Sequence, residues 1–279
     1  MIESFALVFE DSRVKPEEAT LMAIGLEKFM AEKVCPQWSW TPLPVKLYPN
    51  ETSVPTCNTV ALCVVVPNVA GAPSGALGWH TEEGGRRKLY IECDPIYSNG
   101  GVTLYDPTNP QTMTLLSVIA HEFFETRGDE TVNIWVDDPS GQTPNLETAL
   151  ELCDACEDGI VPFDVKDPSD PTGEKVVTLG MSNFLYEGWF DPQTPAGTKV
   201  DELGACPGPG RLSKTGGGYK INRTLLDGSE QQQTGQSHVV TKEFGATFPE
   251  WKKAWRGNGK YRGAIRVAGA STPVAAPAV

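Results

Sequence analysis

The chain has no run approaching the roughly 18–20 consecutive apolar residues that a bilayer span needs. Its longest apolar stretch, ALCVVVP at Ala61–Pro67, is strand-length. The N-terminus, MIESFALVFEDSR, lacks the positive charge and the long apolar core of a secretory signal, and reads as a first strand. Basic residues are in deficit: 23 Lys and Arg stand against 36 Asp and Glu, for a net charge of -13. Binding nucleic acid through its phosphates requires clustered cations, so that class is excluded; an acidic chain suits holding metal cations. Histidine is scarce, with three in 279 residues, so each one stands out. The seven cysteines are odd in number and irregularly spaced, and only Cys153 and Cys156 form a CxxC. With no secretory signal, reduced thiols are the expectation, and one CxxC without a second pair does not make a structural zinc site.

What is present in abundance is glycine (28) and proline (23), which favour turns and long connections. Phe5–Glu10 reads as a strand, and Lys15–Val34 as a helix with a broad apolar stripe, Pro16 in its first turn and Glu17 and Glu18 at its positive end. Val45–Tyr48, Thr59–Val66 and Arg87–Cys93 read as strands. A helix follows, with Asn109 as cap, Pro110 at N1, and Gln111–Arg127 unbroken until Gly128. It is apolar on most sides and so central. Beyond it, Thr131–Val136, Glu147–Cys153, Val176–Leu179 and Phe184–Phe190 read as strands, and Cys206–Gly218 as a surface loop. No internal repeat is visible. One domain is expected over 1–262, followed by a low-complexity Ala/Pro tail, 263–279, expected to serve as an assembly contact.

The central helix carries SVIAHEFFETRGDE, Ser117–Glu130. This is the zinc-binding HExxH pattern with Glu125 in place of the second histidine. His121 and Glu125 are i and i+4, so both face one ion, and both are ordinary zinc ligands. Glu122 lies about 100° around the helix, where a general base acting on water belongs. The segment ETALELCDACED, Glu147–Asp158, offers further donors. Glu151 sits among apolar neighbours, where an unpaired carboxylate is costly; Asp154 can ligate or orient His121 through its other ring nitrogen. Asp129 lies about 12 Å along a straight helix from His121 and is the weaker donor. The competing reading is a hydrogen-bonded His–Glu pair in a core helix. His80, in ALGWHTEEGG, either points into a cleft as ligand or substrate contact, or is a turn histidine beside Trp79. His238, in a polar run, reads as a surface residue.

Taken in order, the PQWSW turn, ALGWH before a strand, HExxE followed by Asp129, ELCDxxE, SNFLYEGWF, GGGY and a basic C-terminal segment resemble a family of zincin-like proteins of tailed phages and prophages. The likeness covers about residues 1–262. It implies an α+β, metallopeptidase-like fold: a mixed sheet, a central HExxE helix and a loop-rich C-terminal half. It marks His121, Glu125, Glu151 and Asp154 as ligands of one zinc ion, and Glu122 as the catalytic base. It further implies a virion-associated protein found in the virion or the host cytoplasm, with other virion or assembly subunits as partners and a peptide as candidate substrate. The chain departs from the family pattern at Gly128, at Glu130 (where proline is usual) and at Ala155. Two functions follow as expectations. One is a zinc-dependent peptidase or amide hydrolase, with the Arg87–Cys93 strand holding an extended substrate by strand addition. The other is a capsid, collar or tail decoration protein that retains an inactive zincin-like fold. Two Glu ligands neutralise an ion more fully than two His, which makes its water less acidic and weighs against activity.

Overall fold

The computed structural model describes residues 2–70, 72, 76–128, 152–153 and 160–184 in full, and the strands at 134–137, 146–149, 212–215, 218–224, 230–235, 241–243 and 266–267 by their backbone pairing. The chain divides into two compact units: residues 1–36, 40–132 and 157–182 form the first, and residues 37–39, 133–156 and 183–279 the second. The protein is α+β with a mixed sheet.

The first unit is built on strand β1 (Ser4–Phe9), helix α1 (Pro16–Phe29), a π-helical turn (Met30–Val34) leading into the short α2 (Cys35–Trp38), then β2 (Val45–Tyr48), β3 (Val60–Val66), β4 (Gly78–Glu83), β5 (Arg86–Glu92), α3 (Cys93–Ser98) and α4 (Leu115–Gly128). The sheet order is β2-β1-β3-β5-β4. Four strands run parallel, and the terminal strand β4 runs antiparallel to β5. The β4–β5 connection is the two-residue turn Gly84–Gly85, both at positive φ (60° and 77°), a conformation glycine adopts without a side-chain clash and one that matches hairpin twist. A second hairpin pairs β8 (Ile160–Lys166) with β9 (Val176–Ser182).

Helix α1 begins as expected: Pro16 occupies the first turn, and the backbone N–H of Lys15 donates to Glu18 Oε2 at 3.0 Å. Helix α4 begins later than expected. Thr114 and Ser117 form a reciprocal cap, with Ser117 N–H donating to Thr114 Oγ1 at 2.7 Å and Thr114 N–H to Ser117 Oγ at 3.1 Å. That pairing satisfies the Thr114 and Ser117 amides, while the Leu115 and Leu116 amides donate to Val102 O at 2.8 Å and Thr103 O at 3.2 Å, so Asn109 and Pro110 lie in the preceding turns instead.

The two sheet faces carry separate cores. On one, Phe5 stacks on Phe123 of α4 at 4.2 Å, and Phe29 meets Phe124 at 5.6 Å and Phe163 edge-on at 5.2 Å. All but Phe163, at 8% exposure, are fully buried, and each contributes on the order of 2–3 kcal/mol by leaving water. On the other face, Ala6, Val8, Leu62 and Val64 pack with Val54 from the β2–β3 connection.

In the second unit, β6 (Ile134–Asp137), β7 (Leu146–Ala149), β13 (Thr241–Glu243) and β14 (Arg266–Val267) form a sheet of order β13-β7-β6-β14. Strands β10 (Leu212–Thr215), β11 (Gly218–Thr224) and β12 (Glu230–Gly235) form an antiparallel meander. Strand β10 falls in the stretch expected to be loop. The Phe184–Phe190 strand, apart from Phe184, and the tail at 263–279, apart from β14, lie outside the described residues. Among the described residues no helix is long and apolar enough to cross a membrane.

Candidate metal centre

Helix α4 is the element that makes a site here. It is fourteen residues long and packs against β4, β5 and β9, so its polar residues have little water around them. Glu122 and Glu125 are 5% and 3% exposed. Burying two carboxylates on one helix is costly unless each meets a donor or a cation. Each meets an imidazole. His121 Nε2 lies 3.1 Å from Glu125 Oε2, one turn along the same helix. His80 Nδ1 lies 3.2 Å from Glu122 Oε2, reaching across from β4.

The position of His80 follows from sheet register. Leu7, Cys63, Leu89 and His80 are paired in sequence across β1, β3, β5 and β4. The first three are fully buried, so the row faces the helices, and His80 completes it at the sheet's end. The turn reading of His80 is thus corrected: it is a strand residue directed at α4. Its neighbour Trp79 faces the other way and stacks on Tyr90 at 5.3 Å. Gly78 supplies the room. A Cβ there would fall 2.9 Å from both Cγ and Oε1 of Glu122, so any side chain at 78 would displace the carboxylate.

His80, Glu122 and Glu125 each offer one ligand atom, and the three atoms lie within 4.8 Å of one another. Donors bound to one tetrahedral ion at about 2.05 Å are about 3.4 Å apart. Within this set the His80–Glu122 separation, 3.2 Å, is close to that value, and the adjoining His121–Glu125 pair has a similar 3.1 Å. Donor chemistry and spacing therefore fit a divalent ion that accepts nitrogen and oxygen ligands.

Two buried thiols of the first unit are held in their neutral form. Burial, reinforced by the Glu122 carboxylate and by Cys93, raises the Cys63 thiol well above its ordinary value. Burial and Asp11 push Cys93 up to about 12. Cys35, Cys57, Cys63, Cys93 and Cys153 take part in no disulfide. At the end of α4, the Arg127 guanidinium sits 5.2 Å over the Trp40 ring and anchors the last turn.

Of the sequence-derived candidates, the structure brings together His80, His121, Glu122 and Glu125. Glu151, Asp154, Asp129 and His238 lie outside the described residues. The Arg87–Cys93 strand cannot take an added substrate strand, because β5 is already paired on both sides, with β3 and β4. The strand that ends the sheet is β4, paired with β5 alone among the described strands. The signal that places His80 in a strand was present in EEGGRR: a two-glycine turn between stretches that pair.

Comparison with protein-family models, with curated proteins and with solved structures gives no match.

Proposed function

We propose that the protein is a metal-dependent hydrolase of zincin-like build, in which His121 and Glu125 hold one zinc ion and Glu122 is the general base acting on a peptide or amide substrate. The observation that carries this reading is the His121–Glu125 pair, 3.1 Å apart on one face of a buried helix. When bound, such an ion supplies Lewis acidity toward a substrate carbonyl and toward water. Glu122 accepts a proton from the attacking water, and His80 fixes which way its carboxylate faces. The strand arrangement supports the same reading: β4 ends the sheet, packs on α4, and among the described residues has one paired edge. Its other edge can add an extended peptide as a further strand. The resemblance noted above marks Glu151 and Asp154 as candidates for the remaining ligand, with Asp129 the weaker one, and also supplies the virion setting.

The test is the zinc content of the dialysed full chain. About one ion per chain, lost in both His121→Ala and Glu125→Ala, is expected from the ligand assignment. A wild-type protein without zinc would overturn it. Peptide cleavage should then be abolished by Glu122→Gln while zinc is retained.

A further inference from the structure

The geometry points to a second cation position beside the first, held by His80, Glu122 and Glu125, which switches the site off when filled. This inference rests on the reading above.

Glu125 belongs to both sets. Its Oε2 faces His121, and it also offers a ligand atom within 4.8 Å of His80 and Glu122. A carboxylate has two oxygens and can bridge two ions. His80 and Glu122 then bring one nitrogen and one oxygen from opposite sides, strand and helix, 3.2 Å apart. All three side chains are nearly removed from water, at 8% exposure for His80, 6% for Glu122 and 4% for Glu125. Two buried carboxylates and an imidazole supply the oxygen and nitrogen donors that a divalent ion takes.

The second ion binds more weakly than the first. Two divalent charges repel across a short distance, and the shared Glu125 has already given up part of its charge. The position therefore fills only in excess metal. Once filled, Glu122 spends its lone pairs on the ion and can no longer accept a proton from water. The consequence is a hydrolase inhibited by the metal it requires.

Gly78 makes the prediction selective. It is no ligand, yet a Cβ at that position collides with Glu122. Gly78→Ala should weaken the second position without touching His121 or Glu125.

The experiment is equilibrium dialysis of the full chain against buffered Zn²⁺ at rising free concentration, with ions counted per chain by elemental analysis and the fold checked by circular dichroism. Wild type should reach two ions in two separated steps. His80→Ala, Glu122→Gln and Gly78→Ala should each stop at one, and Glu125→Ala should weaken both steps. A single step in wild type, untouched by His80→Ala, would overturn the second position and leave the first intact. A single ion lost with His80→Ala and kept in His121→Ala would overturn the two-ion arrangement and the His121 assignment together. No ion at any concentration would overturn both readings.

Discussion

Two carboxylate clusters in the first unit each contain a buried acid and differ in what faces it. Asp167, 7% exposed, lies in the β8–β9 loop; Glu122, 5% exposed, lies on α4. Asp167 accepts from Ser169 N–H at 2.9 Å and Ser169 Oγ at 2.7 Å, and pairs with Lys175 Nζ at 2.7 Å. Its neighbour Asp170 accepts from the backbone amides of Thr172, Glu174 and Lys175. These are carboxylates consumed by their own loop. Glu122 and Glu125 instead face imidazoles, which can give way to an ion at the same spacing. Counting acids in a sequence would rank the DPSDPTGEK loop as highly as HEFFE. The partners separate them: fixed N–H donors and an ammonium make a turn, whereas imidazole nitrogens and carboxylate oxygens at this spacing could hold a metal ion.

The sharpest way to break this comparison is to remove one member of each cluster. Glu125→Ala should lose all retained zinc, whereas Asp170→Ala should lose none, read by elemental analysis after dialysis. Next in size is the response of stability to metal. Zinc at a hundredfold excess over its Kd should stabilise wild type by about 2.7 kcal/mol, because ligand binds only the native state. The rise in melting temperature should vanish in Glu125→Ala and persist in Asp170→Ala. A shift that survives Glu125→Ala would place the ion elsewhere.

A smaller effect tests how α4 is held. Thr114→Ala removes one half of the reciprocal cap and should cost about 1 kcal/mol in denaturant unfolding. Asn109→Ala should cost far less, since Asn109 does not cap this helix. Equal losses would reverse the assignment of the helix start.

What the sequence could and could not reveal divides along contact distance. His121 and Glu125 are one turn apart, so helical periodicity alone puts them on one face, and the structure does so. The parallel strands β1, β2, β3 and β5 were legible from equally local signals, apolar β-prone runs for β1 and β3 and alternation for β5. His80 was not, because its partner Glu122 is 42 positions away and the pairing depends on sheet register. Strand β8 was hidden by Pro162 in IVPFDVK, which lowers its strand propensity, although an outer strand of a two-stranded hairpin tolerates proline. The helix start was misplaced because Asn109–Pro110 is a strong local signal, and the tertiary position of Thr114, whose Oγ1 also donates to Gly180 O at 2.9 Å, overrode it.

The smallest expected effect concerns acid. Lys175 and the Ser169 hydroxyl and amide hold Asp167 down to about 2, and amide and hydroxyl donors from Lys175 and Thr172 hold Asp170 down to about 2, against an ordinary 3.8. A lowered folded-state value means that the unfolded chain takes up the proton first as pH falls. The contribution of each loop carboxylate is therefore complete above 3.8, declines through the interval below it, and is gone under about 2. Asp170→Asn keeps the side chain's shape and removes its titration. Unfolding midpoints measured across that interval should fall less steeply for this variant than for wild type, and the two should run parallel from pH 5 to 7. If the variant's acid slope matched wild type, the loop would not be using its carboxylates as the hydrogen bonds indicate, and the contrast with Glu122 and Glu125 would lose its physical basis.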